Sequence, residues 1–280
     1  MNCPMTSDGG QGAYLLGSSD AEHQRLIRQA SRLAPVTESF FREAGIGPGQ
    51  HVLDLGSGVG DVAMLVARLV GRSGEVVAIE RDARSIRRAR SRAGEAGFDN
   101  IKFVESDIAH FSTDTRFDAA VGRYILQFLP DPVTILRSLS QKVRPGGIIA
   151  FQEGSFAPFV ALSAHLPLWS AVVSLHHEVS VRVGVNTEMG PALHKVFQDA
   201  GLPVPSMRLV MELGHDPDFT RWLSDATASI RPQIERLHLS FAKLGNLDTL
   251  HQRLHEEVAR SQTVVPWLAL VGAWCRTRAN

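Results

Sequence analysis

The sequence predicts a doubly wound α/β fold, and three observations predict it. Short β-branched runs alternate with amphipathic stretches between residues 51 and 156, a glycine-rich turn follows the first run, and helix start and stop signals recur at the spacing that covering helices need. Parallel strands produce this alternation because each must cross back over the sheet, usually as a helix, before the next can pair.

Taken in order, residues 20–41 show helical periodicity at Leu26, Ile27, Ala30 and Leu33, predicting one or two helices before the first strand. The first strand is predicted at 51–55 with a helix at 61–70, and the second at 75–79 with a helix at 83–96, closed by Gly97. A third strand falls at 101–104 and a fourth at 117–121. Asp131 then caps a helix that carries Pro132 at its first position and buries Leu136, Leu139 and Val143. An Arg-Pro-Gly-Gly turn at 144–147 leads into a fifth strand at 148–152.

Beyond it, 157–183 reads as an apolar helical insertion interrupted by Pro158 and Pro167. A helix at 188–200 ends at Gly201, a strand follows at 207–213, helices across 216–262 break near Pro232 and Gly245-Asn246, and a last strand occupies 264–275. Without repeats or a low-complexity linker, the chain divides into N-terminal tail and cover helices (1–45), a core (46–156), and a helical cap interleaved with the last strands (157–280).

Lys and Arg number 29 and so do Asp and Glu, so no net field draws the chain to a polyanion or an anionic membrane. Cys3 and Cys275 lie at opposite ends and give no disulfide framework, which suits a reducing compartment; a cytoplasmic location is expected. The first dozen residues lack the charged and apolar regions of a signal peptide, and no apolar run reaches the ~18 residues of a membrane span.

The chemistry centres on Asp54-Leu-Gly-Ser-Gly-Val-Gly60, between the first strand and its helix. Glycines at 56, 58 and 60 allow a tight turn and close approach of backbone N–H groups to a nucleotide-like ligand. Glu80 ends the second strand, where an acid can accept from both hydroxyls of a ribose. Asp107, in Ser106-Asp107-Ile108, can accept from an exocyclic adenine amine. Asp54 itself could touch ligand or hydrogen-bond the glycine loop.

These elements, in this order over about residues 50–156, resemble the class I S-adenosylmethionine-dependent methyltransferases of the small-molecule type. The resemblance implies a Rossmann-like seven-stranded sheet, S-adenosylmethionine as cofactor and S-adenosylhomocysteine as product. It implies that Gly56, Ser57, Gly58 and Gly60 lie along the methionine and ribose, Glu80 binds the ribose, and Arg81 flanks the adenine. It further implies that Asp107 and Ile108, beside Ser106, bind the adenine edge and that Arg123 lines the reactive end. Tyr14 and Gln29 resemble pre-core residues that touch the methionine tail.

The acceptor is expected to be small and largely apolar, given the Phe, Leu, Val and Trp of 156–175. Gly122-Arg123-Tyr124-Ile125 lacks the Asn/Asp-Pro-Pro-aromatic motif of enzymes that methylate amino groups of nucleobases or glutamine. Arg123 stands where a metal-dependent catechol-type site has Asp, so transfer to O, C or N without a metal is expected. His176 and His177 in the insertion are the candidates to take the acceptor's proton, His177 foremost. Arg84, Arg87, Arg88, Arg90 and Arg92 form a basic run on the second core helix, read as a solvated face rather than an RNA site; a homodimer is left open. The competing readings are an NAD-dependent oxidoreductase and a fold relative that uses S-adenosylmethionine non-reactively, as a cyclase or binding protein.

Overall fold

The structure, a computed structural model, describes residues 19–278. Helix α1 (Asp20–Ala44) is one helix, capped by Ser19 and running through Pro35. The core then alternates β1 (His51–Leu55), α2 (Asp61–Val70), β2 (Glu75–Glu80), α3 (Ala83–Glu95), β3 (Ile101–Glu105), β4 (Phe117–Arg123), α4 (Pro132–Lys142) and β5 (Val143–Ser155). After it come α5 (Phe156–Ser163), α6 (Pro167–Arg182), α7 (Met189–Asp199), β6 (Ser206–Val210), β7 (Leu213–Gly214), α8 (Pro217–Arg236), α9 (Leu250–Arg260), β8 (Val265–Pro266) and β9 (Ala269–Arg276).

The main sheet has seven strands in the order β3-β2-β1-β4-β5-β9-β6. Strands β1 to β5 pair in parallel, whereas β9 runs antiparallel to both β5 and β6. The chain steps outward from β1 to β3 and returns at β4, so the strand order reverses between β1 and β4. The crevice beyond their carboxyl ends is where ligands bind in such sheets. Fully buried Val52, Val76, Ala119 and Ile148 face α1, α2 and α3 on one side, and Leu53, Ile79, Ala120 and Ile149 face α4 and α7 on the other. Both faces being covered, the strands read as apolar runs.

Three sequence expectations need correction. Pro232 does not break α8, because Ile230 and Ile234 on either side are both buried in the cap and hold the helix through it; Gly245, at φ +64°, does mark a break. The expected strands at 207–213 and 264–275 are each split. Both leave the sheet and meet again as a two-stranded ribbon, with Leu213 opposite Pro266 and the Trp267 N–H donating to the Glu212 carbonyl at 2.8 Å. Val143 begins β5 instead of ending α4, with a register shift between Phe117 and Ala119 accommodating residues 144–147.

Helices α5, α6, α8 and α9 form the cap around Trp169, Val172, Phe219, Leu223, Leu254 and Val258, while α7 packs on the sheet through Met189, Leu193 and Phe197. Neither α5 nor α6 has a local side-chain cap. Distant carboxylates supply it: Glu188 accepts from the N–H of Phe156 and Ala157 at 2.9 and 2.7 Å, and Glu257 from Leu168 and Trp169 at 2.8 Å each. Among the described residues no helix is long and apolar enough to cross a membrane.

Candidate active site

The glycine turn sits at the carboxyl end of β1, held by Ser57 N–H to Ile79 O at 2.9 Å and Gly60 N–H to Ser57 O at 2.8 Å. Gly56, Gly58 and Gly60 all have positive φ, but a side chain would fail at each for a different reason. A Cβ at Gly56 would lie 2.5 Å from Ile125 Cδ1, and one at Gly60 would lie 3.1 Å from Ala89 and 3.3 Å from Phe103. At Gly58 it would meet no described atom within 4 Å. Gly56 and Gly60 are therefore glycine for packing, and Gly58 leaves an open face beside the turn.

The buried Ser57 hydroxyl has no hydrogen-bond partner among the described residues, and the buried Asp54 carboxyl faces the Ala63 N–H of α2 and not the turn. Asp54 therefore does not hydrogen-bond the loop through its side chain. Burial pushes its carboxyl well above the ordinary range, against the pull of nearby Arg123. An open face edged by an unsatisfied hydroxyl fits a ligand with polar groups of its own.

Glu80 projects from the end of β2 into the same turn. One carboxylate oxygen accepts from Gly58 N–H at 3.0 Å, the other from Arg81 and Asp82 N–H at 2.8 and 2.9 Å. The next strand is tied in through Ser106 N–H to Glu80 O at 2.9 Å, and Asp107 follows directly after it. Asp107 is exposed and accepts from Ala109 N–H at 2.8 Å, while Ile108 packs inward against the sheet. Glu80 at the end of β2, and Asp107 with Ile108 just after β3, thus lie on the same carboxyl edge of the sheet as the turn after β1.

Helix α1 closes this edge. His23 Nε2 lies 3.2 Å from Ser85 Oγ, and Gln29 accepts from Arg25 at 2.7 Å, Arg25 being buried against Glu22. Arg123 turns toward α1, donating to Thr37 Oγ1 at 2.9 Å, with Asp54 and Asp61 in electrostatic reach. It ties the cover helix to the base of the turn. Tyr14 lies outside the described residues.

Of the basic run on α3, Arg92 is half-buried, donating to the Val59 carbonyl and pairing with Asp61, while Arg84, Arg87 and Arg90 are exposed, Arg84 pairing with Asp20 and Arg90 reaching the Phe103 carbonyl.

On the cap side, His176 is buried with Nε2 2.9 Å from Thr227 Oγ1, and burial beside Arg25 lowers its pKa to about 3. His177 is half-buried, 3.3 Å from Thr187 Oγ1, its ring 5.5 Å from that of Phe156. Two residues that sequence reasoning did not single out complete the seam. Tyr124 follows β4 in a left-handed conformation, φ +55°. Glu153, fully buried in β5, accepts from the N–H groups of Ile125, Leu126 and Gln127 at 3.0, 2.8 and 3.4 Å. A lone acid inside an apolar run was the only signal for Glu153.

Burial pushes the Glu153 carboxyl up to about 7 from 4.5. The folded chain therefore holds a proton there that the unfolded chain releases, and this group's stabilisation, complete below about pH 4.5, is lost as pH rises through about 7. Glu153→Gln keeps an acceptor and removes the titration. Relative to wild type, its unfolding free energy should climb by on the order of 3 kcal/mol between about pH 4.5 and 8, read from urea melts. A difference that stays constant with pH would contradict the assignment.

The site as built joins a glycine turn after β1, acids closing β2 and β3, and covering helices. The family described as a methyltransferase domain matches residues 46–201, more than half of the 280 residues, and the chain belongs to it. The ubiquinone/menaquinone biosynthesis C-methyltransferase UbiE of Coxiella burnetii is 33% identical over 119 residues, which is 41% of this chain and 48% of that protein. Its counterpart in Hahella chejuensis is 29% identical over 173 residues, 57% of this chain and 70% of that protein. The chain thus spans about half the length of the Coxiella relative. A solved methyltransferase of Aquifex aeolicus shares the fold, with a TM-score of 0.51 at 20% identity over 69% of this chain and 92% of that one.

Proposed function

We propose that this chain transfers a methyl group from S-adenosylmethionine to a small, largely apolar acceptor held between the carboxyl edge of the sheet and the cap. The observation that carries this reading is the open face at Gly58, edged by the unpartnered Ser57 hydroxyl and the Glu80 carboxylate. Glu80 would hold the ribose hydroxyls, Asp107 and Ile108 the adenine edge, and the turn the methionine portion. Gln29 on α1 closes over that portion together with Arg25.

The cofactor supplies an electrophilic methyl on a sulfonium. What the chain must add is alignment of the acceptor in line with that methyl, exclusion of water, and, for acceptors that lose a proton, somewhere to put it. The cap's apolar cluster, with Phe156, Phe159, Trp222 and Trp267, serves the first two. For the third, His176 is a poor base near neutral pH because its conjugate acid has a pKa of about 3, which leaves His177. No step in this scheme calls for a metal. The likeness to C-methyltransferases supports carbon as the atom methylated.

Formation of S-adenosylhomocysteine, followed by mass spectrometry across a panel of small aromatic and aliphatic acceptors, tests the reading. Product above the acceptor-free rate with at least one of them is expected. Cofactor binding with no product from any would favour the non-reactive alternative.

A further inference from the structure

Tyr124 occupies a conformation that an aromatic residue adopts only under constraint, since φ +55° brings Cβ against its own backbone. The constraint is visible on both sides. Its N–H is held by the Gln152 carbonyl at 2.9 Å, continuing the β4–β5 ladder, and the next three N–H groups are captured by Glu153. The strained turn swings the ring out of the sheet and into the cap's apolar cluster, over Gly154 with Leu268. Strain over-determined in this way is characteristic of functional positions.

The phenol oxygen is buried, yet it has no hydrogen-bond partner among the described residues. Arg25 from α1, Arg123 from β4, Glu153 from β5 and Glu212 from the entry to β7 all act on it electrostatically, so it lies where the cover helix, the carboxyl edge of the sheet and the cap converge. Burial raises its pKa above the ordinary tyrosine value, which keeps the hydroxyl protonated. A second donor in the same cluster, Trp222 Nε1, is also buried without an acceptor, its ring stacked at 4.4 Å on that of Trp267. Unanswered donors within an apolar cluster call for a ligand that is apolar in body and carries a hydrogen-bond acceptor.

We propose that Tyr124 selects the acceptor: its hydroxyl donates a hydrogen bond to a hydroxyl or carbonyl oxygen on a planar, otherwise apolar ring, fixing that ring beside the cofactor. This rests on the methyltransferase reading above, and Glu153 is the positioning residue that holds Tyr124 in place. A site whose buried donor answers a substrate oxygen discriminates strongly against the analogue that lacks it, because the donor is then left unpaired.

The test uses the whole chain and two readings. First, Tyr124→Phe should bind S-adenosylhomocysteine as wild type does in calorimetry, and its Tm should be equal or higher by a few degrees, because the oxygen removed has no protein partner. Second, equilibrium dialysis of 1-naphthol and of naphthalene against protein saturated with S-adenosylhomocysteine should show wild type preferring the naphthol by about 10-fold or more, and Tyr124→Phe losing most of that preference. A preference that survives in the variant, a large drop in its Tm, or no 1-naphthol binding to the loaded wild type would each overturn the proposal. Failure of wild type to bind S-adenosylhomocysteine is a separate result that would defeat the methyltransferase reading itself.

Discussion

Glu80→Ala should lower the affinity for S-adenosylhomocysteine by about 100-fold or more, the largest single loss expected from any side chain at the turn. Hydrogen bonds to a charged group contribute about 1.5–3 kcal/mol each, and a carboxylate at this position can accept from both ribose hydroxyls. The same carboxylate also pins the turn through Gly58, Arg81 and Asp82, so Ala loosens the place where the ligand lies as well as removing its partner. Glu80→Gln retains one acceptor and should fall between the two. Calorimetry gives the affinities, and Tm values establish that the variants are folded. Affinity within about twofold of wild type in Glu80→Ala would remove Glu80 from the site.

Alanine substitutions in the glycine turn should separate binding from stability. At Gly58, φ +52° costs an L-residue about 1–2 kcal/mol, but the added methyl meets no described protein atom. Gly58→Ala should therefore stay folded with a modest fall in Tm and lose about 100-fold or more in cofactor affinity, because its methyl enters the ligand's space. Gly60→Ala carries similar strain at φ +87° and adds a close contact with Ala89 and Phe103 in the packing of α2 against α3 and β3. Its main effect should be on stability, about 2–4 kcal/mol. The opposite pattern, with Gly58→Ala unstable and Gly60→Ala deficient only in binding, would contradict the assignment of the open face.

The parts of this molecule legible in its sequence were those whose signals are local. Strands β1 to β4, their helices, and the turn with its two acids announce themselves by β-branched runs, caps and glycines within a few residues of where they act, and parallel strands buried on both faces leave little room for another reading. What stayed hidden depends on partners far along the chain. The ribbon of β7 and β8 breaks two apparently continuous strands because residues 213–214 meet 265–266, a pairing that no local pattern encodes. Glu257 caps α6 across 89 positions, and Glu153 organises the exit of β4 from 26 to 28 positions away. Arg92, half-buried, reaches the glycine turn through the Val59 carbonyl and Asp61, a contact the basic run did not announce, whereas Arg84, Arg87 and Arg90 stay exposed. Tyr124 offered no sequence signal, because a left-handed aromatic is set by its surroundings and not by its own preference.

Everything chemical proposed for this chain requires that the turn at Gly58 hold an adenosyl ligand. Calorimetric titration of ligand-stripped wild-type protein with S-adenosylhomocysteine should give one site per chain with a dissociation constant of about 1–100 μM, that is, about −8 to −5 kcal/mol. No heat, together with no rise in Tm at millimolar ligand, would mean that the turn holds no such nucleoside.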